Sequence, residues 1–380
     1  MMEEEPRGAQ KLEQRAKQYH RIHLKLSLSR FALSLAFLLA ILLSGASISL
    51  RSAIQTITSH PWFVVGGYGL VFYLLIELLF LPLSYYSGYV VEHRFRLSTQ
   101  SRRAWLRERG KGIGLSLLLG LLMLEVFYGI IREYPRDWWL PVTGVFVFIF
   151  IILARLAPVV FLPIFFKLKE LEGEELVRRM RELAERAGTK VRGIYQMDLS
   201  RKSKTVNAAL AGWGKTHRLI LSDTLLQNFT PEETETVVAH ELGHQVGYHT
   251  WKMMALQTIT MGLSLFLCER GLRKTIPLFP LQGVDDVAGL PLVILIMSLL
   301  GLVFLPLMNA YSRHLERRAD RFSLGNIESP QFFISAMDKL AELNLADKSP
   351  HPLVEFFFYS HPPISKRIRE AERFMASSET

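Results

Sequence analysis

The sequence contains a single cysteine, Cys268, among 380 residues. One cysteine can form neither an intramolecular disulfide nor a cysteine-based zinc cage. Charged residues are also scarce at 21%, whereas hydrophobic residues reach 49%. This composition excludes a disordered chain, which needs low hydrophobicity, and argues against an ordinary soluble enzyme.

The net charge of +10 raises the question of an anionic partner. In a hydrophobic chain, an excess of Lys and Arg is typical of loops beside an anionic membrane surface. Nucleic-acid binding is the alternative interpretation, but no nucleic-acid-binding motif accompanies the charge. We therefore expect a lipid bilayer as partner and no nucleic acid.

Six apolar stretches indicate membrane spans, because about 20 helical residues cross the roughly 30 Å of bilayer hydrocarbon. The first stretch has no small-residue cleavage site after it, so it predicts an uncleaved anchor. The longer stretches leave room for a re-entrant turn or a seventh span. The six are residues 31–50, 62–91, 112–131, 138–166, 253–268 and 287–312.

Three charged residues, Glu77, Glu125 and Arg155, lie inside these stretches. A charge in hydrocarbon costs a few kcal/mol unless it is buried in protein or faces water. The three residues therefore either line a hydrated chamber in the bundle, or Arg155 pairs with one of the glutamates and joins two helices.

The distribution of Lys and Arg predicts the orientation in the membrane. Residues 1–28 and 92–111 contain thirteen Lys and Arg, whereas the three connections on the other side contain six. We therefore expect both termini and the large polar segments to face the cytoplasm. The membrane would be the plasma membrane in a prokaryote and the endoplasmic reticulum in a eukaryote.

The polar segment 167–252 has the pattern of a small α/β unit. Residues 174–187 show helical spacing that Gly188 would end. Three stretches with strand character follow, at 191–199, 205–211 and 218–221, and a Gly212-Trp213-Gly214 turn separates the last two.

A second helix in this segment has a well-marked start. Thr230 is suited to the N-cap, Pro231 to the first helical position and Glu233 to a capping box. We expect this helix to run from Pro231 through at least His249.

The same helix contains an HExxH motif, His240-Glu241-Leu242-Gly243-His244. Histidines four residues apart project from one helix face, so two imidazoles can bind one zinc ion. Glu241 can then take a proton from a zinc-bound water that attacks a carbonyl. The alternative is an ordinary helix with two surface histidines. His249, five residues after His244, would point away from the zinc-binding face.

A catalytic zinc site needs a third protein ligand. No third histidine follows at metzincin spacing, so a downstream carboxylate is the candidate. Glu316 and Asp320 share one helix face just after the last span: Glu316 would ligate zinc, and Asp320 would hold the far nitrogen of a histidine ligand. The alternative is a solvated cluster of charges. Spans five and six form a hairpin, which returns Glu316 to the side and depth of the HExxH motif.

The motifs resemble the integral-membrane gluzincins, and specifically the type I CAAX prenyl protease family. The family's Glu-x-x-Ala-Asp motif is matched within residues 312–322, SRHLERRADRF, and its C-terminal SHPxxxxRI motif by residues 360–368. Residues 244–252, HQVGYHTWK, and 89–96, YVVEHRFR, are also similar to family segments.

This resemblance implies one zinc ion per chain, held by His240, His244 and Glu316, with Glu241 as general base. It also implies that His361 and Arg367 bind substrate or stabilise the oxyanion. His361 could instead form a loop corner, and Arg367 could be one basic residue among several on a terminal helix.

The resemblance further implies substrate contacts on a strand. Asn207 and Ala208 match the edge strand that would pair with the substrate backbone. The alternative is an ordinary polar strand residue at Asn207.

The chain is thus predicted to divide into five segments. They are a polar cytoplasmic N-terminal segment (1–30), a membrane domain with spans one to four (31–166), a cytoplasmic α/β segment with the HExxH helix (167–252), a membrane hairpin of spans five and six (253–312) and a C-terminal catalytic segment (313–380).

We predict a mainly α, polytopic transmembrane bundle of six to seven spans with a small α/β zinc-metalloprotease domain at the cytoplasmic face. Its function would be hydrolysis of a peptide or protein tail presented at the membrane, with or without a prenyl group, as in removal of the C-terminal tripeptide of prenylated proteins. The alternative enzyme is an HtpX-type quality-control zinc protease. A silent scaffold would not need Glu241, and a transporter would show inverted repeats.

Overall fold

The structure, a computed structural model, describes residues 4–212 and 217–378. Within these residues six helical segments are long and apolar enough to cross a membrane, which confirms the predicted number of spans. The fold is a multi-pass helical bundle joined to a small sheet. The six segments are Gln10–Leu43, Pro61–Arg94, Arg102–Glu133, Trp139–Phe165, His249–Leu278 and Val287–Leu324.

The first half of the chain is helical. Two π-helical turns, Tyr86–Val91 and Ala157–Phe161, extend the second and fourth spans. The helices are α1 (Glu4–Leu43), α2 (Ala46–Gln55), α3 (Pro61–Tyr85), α4 (Glu92–Arg94), α5 (Arg102–Glu133), α6 (Trp139–Leu156) and α7 (Leu162–Phe165).

The second half contains the sheet and the last two spans. Short 3-10 turns occur at Leu199–Arg201, Ile276–Leu278 and Val287–Gly289. The elements are β1 (Leu168–Glu170), α8 (Glu174–Arg186), β2 (Gly193–Met197), β3 (Ala208–Ala211), β4 (Arg218–Ser222), α9 (Asp223–Asn228), α10 (Pro231–Val246), α11 (His249–Thr275), α12 (Leu290–Leu324), α13 (Pro330–Leu343), α14 (Pro352–Phe358) and α15 (Ile364–Ser378).

The four strands form one sheet in the order β1-β2-β4-β3. β2 and β4 are parallel, and both outer strands pair antiparallel with their neighbours. The sequence analysis missed β1. Gly212 has a φ of 102°, as a turn requires, whereas Trp213 and Gly214 of the predicted turn lie outside the described residues.

Two hydrophobic cores hold these parts together. The bundle core surrounds Tyr68 and Trp138, both fully buried. The second core packs α8 and α10 against the sheet through Leu183, Leu219 and Leu242. The helix that bears the HExxH motif is therefore fixed along one side by the sheet.

The first span is shifted relative to the prediction. Residues 31–50 are not one span, because α1 ends at Leu43 and Gly45 adopts a left-handed conformation with φ of 72° before α2 begins. The helix that contains this span instead begins well before the apolar run, and residues 10–43 of it form the candidate membrane-spanning segment. Because a helix satisfies its backbone hydrogen bonds internally, α1 can include the polar residues before the apolar run as well as the run itself.

The predicted segment boundaries at residues 30 and 312 also fall inside continuous helices, α1 and α12. As a result, α12 contains both a membrane span and the residues of the predicted catalytic segment. That continuity places Glu316 in a rigid relation to the bundle.

The start of α10 agrees with its sequence. The Thr230 side chain accepts a hydrogen bond from the amide of Glu233, and the Glu233 carboxylate accepts one from the amide of Thr230, which confirms the capping box. Glu233 also accepts hydrogen bonds from Ser335 and Lys339 of α13. The helix start is thereby joined to the C-terminal part of the chain.

The end of α10 does not agree with the prediction from the sequence. The prediction that this helix continues through His249 is wrong, because α10 ends at Val246 and α11 begins at His249. Tyr248 between them has a left-handed backbone with φ of 53°. The HExxH helix and the fifth span are therefore two helices, and the site is not on a continuation of the span.

The charged residues of the spans have separate environments. Glu77 of the second span forms an ion pair with Arg109 of α5. The carboxylate of Glu125 lies against Gly66, where a Cβ would be 3.0 Å from Oε1.

Candidate metal centre

The centre forms where α10 crosses α12. At Gly243 a Cβ would lie 3.1 Å from the Cα of Ala319 and 3.1 Å from the Cβ of Phe322, so only glycine permits this approach without displacement. The contact brings the histidines of α10 against Glu316 of α12. Leu242, on the opposite side, is fully buried in the sheet core and fixes the rotation of α10.

Three candidate ligand groups converge at this crossing. His240, His244 and Glu316 each offer one ligand atom, and these atoms all lie within 4.8 Å of one another. The Nε2 atoms of the two histidines are 3.1 Å apart. Glu316 Oε2 is 3.3 Å from Nε2 of His240, and Oε1 is 3.4 Å from Nε2 of His244.

The donor set fits a metal cation. Glu316 is 5% exposed, and its Oε2 atom is buried without a hydrogen-bond partner among the described residues. A buried carboxylate oxygen of this kind is costly unless a cation or donor satisfies it. Two imidazole nitrogens and one carboxylate with an open side are the ligands of a catalytic zinc site.

The electrostatics of the centre also favour positive charge. Burial alone lowers the pKa of His240, but the neighbouring carboxylates of Asp320 and Glu316 outweigh this effect and raise the pKa to about 9. Carboxylates thus face His240 on both ring nitrogens. The same arrangement would stabilise a bound cation.

Two buried residues, Asp320 and Arg367, lie on the Nδ1 side of the His240 ring. Asp320 Oδ1 is 2.9 Å from Nδ1 of His240, so Nδ1 donates a proton to this carboxylate, and Nε2 is the ring nitrogen available to a metal ion. Arg367 donates to both oxygens of Asp320, at 2.6 and 2.9 Å. Arg367 is 9% exposed and lies behind His240, rather than in the open part of the site where substrate contact was expected.

His249 supports the other histidine, which the sequence analysis did not anticipate. Its Nδ1 lies 3.0 Å from Nδ1 of His244, and the residue is 3% exposed. On a straight helix the spacing of five residues would turn His249 away from His244. The break at Gly247 and Tyr248 turns it back. Only the glycine in the sequence hinted at this break.

Two further groups were predicted to act at the centre, Glu241 and His361. Glu241 is half-buried and makes no hydrogen bond or ion pair with another described residue, so its carboxylate is available to a reactant. The Nε2 atom of His361 lies 3.3 Å from Oε1 of Glu316, and its side chain is 60% exposed. His361 therefore borders both the centre and the solvent.

The loop that carries His361 is attached to α12. The side chain of Arg313 donates hydrogen bonds to the carbonyls of Glu355 and Tyr359, at 3.0 and 2.6 Å. These carbonyls belong to the last turn of α14 and to Tyr359, the residue after it. Arg313 is one turn before Glu316, so a single helix positions Glu316 and the loop. This role of Arg313 was not predicted from the sequence.

An apolar cavity of about 560 Å³ begins at the centre. The edge strand β3 forms one wall, and Asn207 and Ala208 are at the end of that wall. The fourth span contributes the opposite wall through the π-helical turn Ala157–Phe161, and His244 lies at the boundary with the centre. An extended peptide along β3 would therefore pass beside the candidate metal ligands.

A second cavity of about 740 Å³ extends from the centre between α6, α11 and α12. Methionines of α11 and the ligand candidates His244 and Glu316 line it. Glu77, Glu125 and Arg155 line neither of these two cavities. Neither cavity is therefore the chamber, lined by these three charged residues, that was one of the two predictions for them.

Two family models match the chain. The model for peptidase family M48 matches residues 170–374, and the model described as CAAX prenyl protease N-terminal, five membrane helices, matches residues 6–167. The second region contains four of the six candidate spans and the ten-residue helix α2.

Several relatives match over most of the chain. The metalloprotease YhfN of Bacillus subtilis is 28% identical over 337 residues, covering 88% of this chain and 79% of the relative. CAAX prenyl protease 1 of Saccharomyces cerevisiae is 29% identical over 315 residues, covering 77% and 69%. Protease HtpX of Alcanivorax borkumensis is 28% identical over 212 residues, covering 51% and 68%.

The fold itself is also similar to a solved structure. Ste24p of S. mikatae superposes with a TM-score of 0.84 at 24% identity, covering 95% of this chain and 89% of that one. At this identity the likeness concerns the arrangement of helices and strands.

Proposed function

This chain belongs to peptidase family M48 and is a membrane-integral metalloprotease, and from that premise we propose that it is a zinc endopeptidase with His240, His244 and Glu316 as the metal ligands. The observation that carries the proposal is that one ligand atom from each of the three residues lies within 4.8 Å of the others. The Glu316 carboxylate among them is buried, and its Oε2 atom has no hydrogen-bond partner among the described residues. Zinc is the metal proposed because two imidazoles and one carboxylate with an open position suit its catalytic sites.

Glu241 is the proposed general base. A bound zinc ion would act as a Lewis acid toward the scissile carbonyl and toward water. Glu241 follows His240 directly on α10, and its carboxylate is not engaged by another described side chain. It accepts the proton of the attacking water and then transfers that proton to the leaving amine.

His361 is the proposed group that stabilises the transition state. Negative charge develops on the former carbonyl oxygen, where a preorganised hydrogen-bond donor is most effective. The ring of His361 faces this region with Nε2 3.3 Å from Glu316. Arg367 acts indirectly, because it holds Asp320, and Asp320 holds the ring of His240. It is a positioning residue.

The proposed substrate is a peptide or protein tail that reaches the centre from the membrane. Its backbone would pair with β3 near Asn207 and Ala208, since β3 is an edge strand beside the centre. The apolar walls of the 560 Å³ cavity suit hydrophobic side chains. Because the yeast relative is named a CAAX prenyl protease, we propose that the tail has a prenylated cysteine and loses its C-terminal tripeptide.

An HtpX-type function is the second candidate. The match to protease HtpX of Alcanivorax borkumensis, which covers 51% of the chain, favours it. Such an enzyme would have the same catalytic groups but no preference for a prenyl group.

The test compares the wild type with Glu241→Gln in detergent. Bound zinc and hydrolysis of a farnesylated peptide ending in a CAAX sequence are measured together, and Glu235→Gln on the same helix is the control. We expect about one zinc per chain in all three proteins. Hydrolysis should fall at least about 100-fold in Glu241→Gln only, since general base catalysis contributes that much.

The outcomes separate the parts of the proposal. A wild type without zinc, or unchanged hydrolysis by Glu241→Gln, contradicts the mechanism. Faster cleavage of the farnesylated peptide than of its unprenylated twin supports the CAAX substrate. Equal cleavage of the two peptides leaves the mechanism in place and favours the HtpX-type function.

A further inference from the structure

One face of the short helix α14 is apolar and exposed. Leu353, Phe356 and Phe357 are 63%, 48% and 37% exposed. They occupy positions i, i+3 and i+4, so they form one continuous stripe. On the other side of the helix, Glu355 pairs with Lys366 of α15 at 2.7 Å. Large apolar groups gathered on one face are typical of an interaction surface.

The position of α14 is defined by its contacts with the last span. Asn309 of α12 donates a hydrogen bond to the carbonyl of Phe357 at 2.6 Å, and Arg313 donates to the carbonyl of Glu355 at 3.0 Å. Asn309 and Arg313 are four residues apart and thus share one face of α12. Helix α14 therefore lies directly on that face.

The same face of α12 is exposed further into the span. Leu302 precedes Asn309 by seven residues, which is two helical turns, and it is 42% exposed. Val303 beside it is 67% exposed. Since α12 is a membrane span, these side chains face lipid. Helix α14 thus lies on the same side of α12 as these lipid-facing side chains.

The depth of α14 follows from the length of the apolar run. Residues 290–312 of α12 include no charged residue. These 23 residues span about 34 Å as a helix, close to the roughly 30 Å of bilayer hydrocarbon. Asn309 and Arg313 lie at the end of this run, so α14 is level with the boundary between hydrocarbon and headgroups.

We propose that the Leu353, Phe356 and Phe357 face of α14 inserts into the bilayer interface, in the leaflet next to the metal centre. Amphipathic helices with aromatic residues bind in the interface plane with their apolar face buried about 5–10 Å deep. The chain continues from α14 through Tyr359 to His361. Insertion would therefore hold the start of the His361 loop at a fixed height relative to the membrane.

The bilayer is favoured over a substrate lipid as the occupant. Helix α14 lies on the same side of α12 as exposed lipid-facing side chains, and it lies at interface depth. In addition, no residue of α14 lines either cavity beside the metal centre. A lipid chain on this face would lie outside those cavities.

The test measures the depth of fluorescent labels in nanodiscs. Single cysteines at Phe356 and Leu353 are labelled with an environment-sensitive fluorophore, and Cys268, which is fully buried, is checked for labelling in the wild type. Quenching is compared for aqueous iodide and for lipids with a nitroxide near the headgroup or at the chain end. Val303→Cys serves as the lipid-exposed control and Gln227→Cys as the water-exposed control.

We expect both α14 labels to be quenched at least twofold more by the shallow nitroxide than by iodide, whereas the Gln227 label responds to iodide. Two positions on one face guard against a variant that fails to fold. Labels on α14 that behave like the Gln227 label overturn the proposal. Labels that iodide reaches until a farnesylated peptide is added also overturn it and assign the face to substrate. Neither readout depends on hydrolysis.

Discussion

Asp320 has the most constrained environment of any single residue at the centre. It is 2% exposed, and its two carboxylate oxygens bind the Nδ1 of His240 and the guanidinium of Arg367. Charge-assisted hydrogen bonds of this kind orient a ligand and raise its basicity. Asp320 therefore fixes the orientation of the His240 ring.

We predict that Asp320→Asn weakens zinc binding about 10- to 100-fold, the usual effect of losing a hydrogen-bond partner behind a metal ligand. The amide has no charge to hold Arg367, and the His240 ring is less firmly oriented. Competition with a chromogenic chelator measures the affinity. Asp338→Asn, an exposed carboxylate that pairs with Lys348, is the matched control. Equal affinities of the two variants would refute the role of Asp320.

Single residues differ in how far the sequence could identify them. HExxH spacing and a carboxylate after the last span were enough to select His240, His244, Glu316 and Asp320 as a group, because those rules concern local helix geometry. Arg313 could not be selected in this way. Its partners are backbone carbonyls of α14, more than 40 residues away, and backbone acceptors leave no trace in side-chain patterns.

At the level of elements, the spacing between α10 and α12 decides whether the ligands meet. The two helices approach so closely at Gly243 that a Cβ would be 3.1 Å from the Cα of Ala319. Backbone atoms cannot move aside as a flexible side chain does. The glycine of this HExxH motif therefore serves helix packing, although nothing in zinc coordination itself requires it.

We predict that Gly243→Ala separates α10 from α12, destabilises the protein by about 1–3 kcal/mol as overpacking does, and weakens zinc binding. The thermal unfolding midpoint and the zinc content measure both effects. Gly110→Ala in α5 is the control, since a Cβ at Gly110 would meet no atom within 4 Å. That variant should be as stable as the wild type or slightly more so. A Gly243→Ala protein with normal zinc affinity would show that the close approach is unnecessary.

Element boundaries were harder to predict than the elements themselves. Capping residues defined the start of α10, because the Thr230 and Glu233 side chains bind backbone amides within the same turn. The end of α10 depends on a left-handed Tyr248, a conformation that tyrosine rarely adopts and that tertiary contacts must maintain. The break at Gly45 could have been suspected from the glycine, yet the apolar run continues past it.

For the whole molecule, the number of spans and the α/β unit followed from composition and periodicity. The cavities could not be predicted in this way, since their walls combine β3, the fourth span and α11, which are far apart in sequence.

The two segments rich in Lys and Arg, residues 1–28 and 92–111, contact each other and the protease part. Arg15 of α1 donates to the carbonyl of Phe95, and Thr99 donates to the carbonyl of Lys202. Both basic segments thus lie on the side of the metal centre.

This arrangement allows a prediction about orientation in the membrane. Thirteen Lys and Arg in residues 1–28 and 92–111 lie on the side of the metal centre, against six in the connections on the other side. Basic loops remain cytoplasmic. We predict that the metal centre and both termini face the cytoplasm.

Single cysteines and a membrane-impermeant maleimide test the orientation in intact cells. Gln227→Cys reports the side of the metal centre, and Asp137→Cys, in the connection between α5 and α6, reports the other side; both positions are exposed. Asp137→Cys should be labelled in intact cells, and Gln227→Cys only after permeabilisation. The reverse pattern would mean that the substrate is processed outside the cytoplasm, where a cytosolic prenylated tail could not reach the centre.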